Sequence, residues 1–235
     1  MYFQHSPDIW TDFPELAAGV MAVDGIDAEA DVDARVRHYL GVARERLGDE
    51  PESALPEIQA WRRTFSRMGL KPTQYRCASE ALLRRFRKEG ELPRVNPLVD
   101  VCNAVSLAFA IPVAAIDVAR IEDGIVVRRA TGDERYQTFG GEIEHSEPGE
   151  VIFADAAGQA HARRWTNRQS GLSAVSRATG RVLIVSEAMH DTATADVARL
   201  IETLSGELRD VWSVAPRTAI LTPQDRRFEY ETATA

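Results

Sequence analysis

The sequence predicts an α+β fold: an N-terminal helical half packed on a mixed, mostly antiparallel sheet, with a C-terminal helix closing the chain. Three observations carry this. Four segments between residues 27 and 107 have helical apolar spacing and recognisable start or stop signals. After about residue 112 the pattern changes to short β-branched runs separated by glycine turns. Residues 194–212 then return to helical period. Helices first, strands later and one closing helix are not the alternation that parallel βαβ units require. With no repeat and no low-complexity linker, the 235 residues are expected to form a single domain over 1–235 with an irregular tail from 216 to 235.

"ELAAGVMAVDGI" (15–26) is predicted as a strand ending in a glycine turn. Residues 27–48 are predicted as a helix capped by Asp27 and stopped by Gly48, and 57–69 as a second ending at Gly69. A third spans 73–90, with Thr73 as cap, basic residues in its last turn and Gly90 after it. Asn96 caps a fourth, with Pro97 pre-set at its first position. "VAAIDVARI" and "IVVRRA" around "EDG" suggest a hairpin, and "EVIFADAAGQAHARRW" two strands around a glycine turn. "RVLIVSEAM" is one more strand, and the terminal "ETATA" is expected to fray.

Composition excludes several classes. No apolar run approaches the ~20 residues needed to span a membrane. "MYFQHSPDIW" has neither the basic nor the apolar region of a secretory signal. Cys77 and Cys102 form no disulfide framework, and neither they nor the five histidines have metal-ligand spacing. A cytoplasmic setting without cofactor or metal is therefore expected. The net charge of −8 argues against a general nucleic-acid coat, so neither DNA nor membrane is an expected partner. The charge is uneven, however. Residues 1–60 hold thirteen acidic and four basic side chains, and residues 61–94 hold ten basic and three acidic. Such a block is either a solvated helix face or a surface for an anionic partner.

The chemical signal lies in "LPRVNPLVDVCNAVSL" (92–107). Asn96, Asp100 and Asn103 fall on one stripe of an otherwise apolar helix. An N-cap role accounts for Asn96. A buried Asp100 needs a partner; an Arg76–Asp100 pair across two helices would supply one, while a Glu80–Arg76 pair would instead occupy the arginine. The stripe is then a structural network, a pocket lining, or both. "HARRWTNRQSG" (161–171) groups Arg164, Asn167, Arg168, Gln169 and Ser170 beside Trp165, either a polar loop with its tryptophan in the core or a set of donors for a planar or anionic group. Cys102, on the apolar side of the helix, is read as an inert core thiol; as a nucleophile it would need His145, His161 or His190 beside it. Residues 132–150, acidic and glycine-containing, form a surface excursion that could lie over the pocket, with His145 as its group titrating near neutrality.

The order W-R-R-x-F-x-x-M-G (61–69), P-x-x-x-R-C-A-S-E-A-L-L-R-R (72–85), L-P-x-V-N-x-L-V-D-x-x-N-x-x-S-L (92–107), P-V-A-A-I-D (112–117), P-G-E-V-I-F-A-D (148–155) and R-W-T-N-R-Q-S (164–170) resembles a freestanding B3/B4 domain, the editing module of the phenylalanyl-tRNA synthetase beta subunit. The resemblance runs from about residue 10 to about 212 and is strongest over 57–188. It implies hydrolysis of a mischarged aminoacyl-tRNA ester by a positioned water, acting in trans, with the aminoacyl-tRNA or its amino-acid moiety as partner. It implies Asn103 and Asp100 as catalytic residues. Arg76, Glu80, Asn96, Ser106, Ala114, Trp165, Asn167, Arg168 and Gln169 would bind substrate. The chain departs from the family pattern in four places: Ala114 stands where the synthetase domain has His, Cys102 where many have Thr, Val185 near the position of its late acidic residue, with Glu187 two residues on, and "RWTNRQSG" (164–171) where the family has a Gly-rich pocket loop. The other reading is a binding module that holds an amino acid, a related small molecule or RNA without turnover.

Overall fold

The protein, seen here as a computed structural model, is described over residues 1–230; the "ETATA" segment lies outside the described residues. In chain order the elements are β1 (Tyr2–His5), α1 (Pro7–Asp12), β2 (Ala17–Asp24), α2 (Asp33–Leu47), α3 (Pro56–Arg67), α4 (Ala78–Glu89), α5 (Pro97–Phe109), β3 (Val113–Asp117), β4 (Gly124–Arg129), β5 (Arg135–Gln137), β6 (Ile143–His145), β7 (Val151–Ala154), β8 (Ala160–Arg163), β9 (Arg168–Gln169), β10 (Arg181–Ala188), α6 (Ala193–Trp212), β11 (Arg217–Leu221) and β12 (Arg227–Glu229).

The class is α+β. The strands form a six-stranded sheet, β12-β1-β4-β7-β8-β9, a four-stranded sheet, β11-β2-β10-β3, and the β5-β6 hairpin. Every pairing is antiparallel except β1 with β4. β10 is paired on both edges and buried over seven of its eight residues, which explains its continuous apolar run. α6 crosses β2 at Gly19, where a Cβ would lie 2.4 Å from the Ile201 side chain. Its Val197, Leu200, Ile201, Leu204 and Leu208 supply the buried stripe.

Four sequence expectations need correction. The first long helix begins at Asp33, not at Asp27. Asp27 and Asp31 spend their carboxylates on the backbone N–H groups of Glu29 and Asp33, local turns that compete with helix. The third helix begins at Ala78, not Thr73: Ala78 N–H donates to Thr166 O, a tertiary contact invisible in local sequence. The strands on either side of "EDG" do not pair. A 3-10 turn at Val118–Arg120, capped by Asp117, carries the chain out of the four-stranded sheet, so β3 pairs β10 while β4 joins β1 and β7. The tail from 216 is ordered as edge strands β11, on β2, and β12, on β1. Edge strands are short and half exposed, so they show little periodicity. β1, although paired on both sides by β12 and β4, escaped sequence reasoning because it is only four residues long. The remaining segments fall close to expectation, including the Asn96 cap, whose Oδ1 accepts from Leu98 N–H at 3.0 Å, and the left-handed stop at Gly90.

Candidate functional site

The three polar residues of α5 have three different roles. Asn96 caps the helix. Asp100 accepts from Val95 N–H at 2.9 Å and pairs with Arg94 at 3.1 Å. The expected Arg76–Asp100 pair is absent: Arg76 lies 3.6 Å from Glu80, which is buried and held more closely by Arg62 at 2.7 Å. Burial raises the Glu80 carboxyl despite the opposing pull of Arg62 and Arg76. Only Asn103 opens onto a cleft, of about 110 Å³, lined also by Val95, Val99, Cys102, Phe139 and Gln169.

A second hollow of about 60 Å³ adjoins it and shares Val113 and Gln169 as a common wall. Its apolar sides are Ala114, Val185, Phe153 and the Trp165 ring, and Thr166, Asn167 and Arg168 form its polar edge. Gln169 is a fixed divider, since its amide nitrogen donates to Ala115 O at 2.7 Å. Asn167 donates to Arg76 O at 2.7 Å, and Arg168 pairs with Glu144 at 3.1 Å while covering the Tyr136 ring. Thr166 Oγ1 is buried with no partner among the described residues.

The 164–167 turn that builds this wall is conformationally unusual. Arg164 and Trp165 are both left-handed, at φ 47° and 57°. The strain is held by burial of Trp165, packed edge-on against Phe13 and Trp61, and by its backbone N–H on Val151 O at 2.7 Å. Its indole N–H donates to the buried Glu187 at 3.0 Å, and His5 meets the same oxygen at 2.6 Å. Glu187 is therefore core, and His5 was not found by sequence reasoning because its strand was not.

The structure thus gathers Asn103, Ala114, Trp165, Asn167, Arg168 and Gln169 around one divided cleft. Arg76, Glu80, Asn96, Asp100 and Ser106 are not among its lining residues. Ser106 is buried and donates to Ile111 O at 2.6 Å, fixing the turn from α5 into β3. Cys102 lines the cleft, but burial, reinforced by the Asp100 charge, pushes its thiol up to about 12. None of the three histidines considered as its base serves it. His190 meets Asp196 at 2.8 Å, and His145 pairs across the hairpin with Arg135. His161 lies between Asp155 (3.2 Å) and Ser173 (2.8 Å), in the order of a catalytic triad, but His161 and Ser173 are fully buried, so no carbonyl can reach the hydroxyl.

Glu57, His190 and Asp196 also converge, with one ligand-type atom of each within 4.8 Å of the others. Both carboxylates lie in the first turns of α3 and α6, where helix ends attract negative charge, and Arg46 and Arg199 pair with them. The cluster is accounted for as ion pairing.

Among the lining residues that sequence reasoning missed is Phe139; its signal was an aromatic placed directly before Gly140-Gly141 at a hairpin tip. The root of that hairpin is held by Glu134, which accepts from Thr131 N–H and Gly132 N–H and pairs with Arg128. Burial alone would raise its carboxyl. The Thr131 N–H, the Arg128 guanidinium and the Gly132 N–H outweigh burial and hold it at about 2, against an ordinary 4.5. A carboxyl depressed on folding stabilises above its unfolded value and loses that contribution as pH falls through the folded one. Urea midpoints of the wild type should therefore fall between about pH 4.5 and 2. Glu134→Gln should lower the midpoint at pH 7 and converge with wild type near pH 2; parallel curves would contradict this.

A family model described as B3/4 domain matches residues 60–208. A phenylalanine–tRNA ligase beta subunit from Nocardia farcinica is 35% identical over 77 residues, covering 33% of this chain and 9% of that protein. A crystal structure of an N-terminal fragment of the phenylalanyl-tRNA synthetase beta-subunit from Pyrococcus horikoshii aligns with a TM-score of 0.47 at 10% identity, over 92% of this chain and 49% of that one. The chain thus spans a small part of the curated relative it matches. No described helix is long and apolar enough to cross a membrane.

Proposed function

The chain belongs to the B3/4 domain family, and from that premise we propose that it acts beside tRNA aminoacylation as a trans-editing hydrolase of a mischarged aminoacyl-tRNA ester. The observation that carries the reading is the divided cleft. An aminoacyl ester has two unlike halves, and the cleft has an apolar hollow at Ala114 and Val185 for a side chain and an amide-edged hollow at Asn103 for the ester. The ester is an activated acyl group, so positioning the water and stabilising the developing oxyanion supply most of the catalysis. Water adds to the carbonyl carbon, its proton passes to solvent, and the C–O bond to the ribose breaks as that oxygen takes a proton. The Asn103 amide orients the carbonyl, Gln169 holds the divide, and Asp100 acts at one remove by fixing Arg94 and Val95.

The binding-module reading is favoured by a different observation. Of the ten basic residues in 61–94, Arg62, Arg67, Arg76, Arg85, Arg87 and Arg94 are paired with the chain's own carboxylates. The block is thus largely neutralised as an RNA surface. A deacylation screen over correctly and wrongly charged tRNAs decides between the readings. We expect accelerated release from one mischarged species, lost in Asn103→Ala and weakening steeply with salt as phosphate contacts do. Release at the spontaneous rate from every species, with salt-insensitive binding of a free amino acid, would replace the hydrolase by the binding module.

A further inference from the structure

We propose that Phe139 is a stacking platform for the terminal nucleobase of the ligand, so that the outer cleft reads the nucleoside end of an RNA-linked ester; this rests on the hydrolase reading above. Phe139 is 75% exposed, and Val95, at 67%, lines the same cleft. The described residues hold only four large exposed hydrophobics, and these two flank Asn103.

The exposure is not that of a loose loop. Thr138 N–H donates to Glu142 O at 2.8 Å, Glu142 N–H to Thr138 Oγ1 at 3.1 Å and Gly141 N–H to Thr138 O at 3.0 Å, closing a tight turn. Behind it, Gly171 N–H and Ser170 Oγ both donate to Gln137 O at 2.9 Å. Gly171 approaches so closely that a Cβ there would lie 2.7 Å from Thr138 O. The backbone is therefore fixed while the ring stays bare.

A rigid, solvent-facing aromatic at a cleft mouth suits a flat ring, since every base offers a π-face to stack on. If the acyl side chain fills the inner hollow and the carbonyl lies at Asn103, the alcohol of the ester must leave past Phe139 and Val95. The charge nearby suits the same end. Arg177, two residues beyond the lining residue Val175, is 80% exposed and pairs with a Glu29 that is 77% exposed. Such a pair exchanges readily for a phosphate. Two side chains are too small a surface for a stable protein interface, which buries about 800 Å² per partner.

The test uses Phe139→Trp as a reporter. The native tryptophans, Trp10, Trp61, Trp165 and Trp212, are all buried, so an exposed indole at 139 emits separately. A short uncharged oligoribonucleotide ending in cytidine-cytidine-adenosine should quench it, and the same oligomer without the final adenosine should quench less. Phe139→Ala should weaken that oligomer, and raise KM for the charged tRNA found in the screen, by roughly five- to a hundredfold, with free amino-acid binding unchanged. Val42→Ala, an exposed apolar residue elsewhere, should change neither. No quenching together with equal oligomer affinity for wild type and Phe139→Ala overturns the platform. So does a drop in sedimentation coefficient in Phe139→Ala, which would make the ring a self-association contact. Asn103-dependent release that ignores Phe139 leaves the hydrolase standing without the platform; quenching without release leaves the platform and removes the hydrolase.

Discussion

Replacing Trp165 by alanine is expected to cost about 3–5 kcal/mol, the range for deleting a large aromatic from a packed core. On a chain of this size that is a fall in Tm of roughly 6–20 °C. Three consequences of the substitution add. The deletion opens a void against Phe13 and Trp61. It leaves the buried Glu187 Oε1 with His5 as its remaining side-chain partner among the described residues. It also removes the burial that holds two consecutive left-handed residues, so the 164–167 turn can relax. The third consequence is functional, because that turn forms the polar edge of the inner hollow. Trp165→Phe separates them: it keeps most of the packing, loses the indole N–H, and should fall between wild type and alanine in calorimetry. If Trp165→Ala were as stable as wild type, the ring would be a ligand contact rather than a core residue.

That residue also shows how far sequence reading reached. "HARRWTNRQSG" announced a tryptophan among donors; the ring is core and also belongs to the lining of the inner hollow. Local signals located α5 and its cap because Asn96-Pro97 acts within one turn. They located β10 because Val182–Val185 form an uninterrupted apolar, β-branched run in a strand buried on both faces. They misassigned what depends on distant partners. The arginine for Asp100 is Arg94, six residues away in sequence and brought back by Val95 N–H, rather than Arg76, which lies just before α4. The "EDG" turn exists, but its flanks enter different sheets, and nothing in hydropathy says which neighbour a strand will take. Glu187 was weighed as a late acid of the site; its partner His5 lies 182 residues away on a strand too short to notice.

Glu187→Ala should destabilise by about 2–6 kcal/mol, because two buried ring nitrogens lose their acceptor at about 1–3 kcal/mol each. Its carboxylate oxygen serves both His5 Nε2 and Trp165 Nε1, and both rings are fully enclosed. Neither could find water, so each would carry the cost of an unmade hydrogen bond. A double substitution shows whether the pair adds stability or only specifies the geometry. His5→Phe with Glu187→Leu replaces the hydrogen-bonded polar pair by apolar groups of similar size, between Phe3 and Trp10 on one side and Trp165 on the other. Buried pairs replaced in this way are often no less stable, so the double variant should recover most of what the alanine variant loses. Trp165 would still lack its acceptor, however. The double variant should therefore stay less stable than the wild type by about the one unmade indole hydrogen bond, and release or bind ligand less well, because the inner wall rests on that indole. Full recovery of both properties would make the His5–Glu187 pair dispensable to the cleft. Recovery of neither would mean that the carboxylate, rather than the packing, positions Trp165.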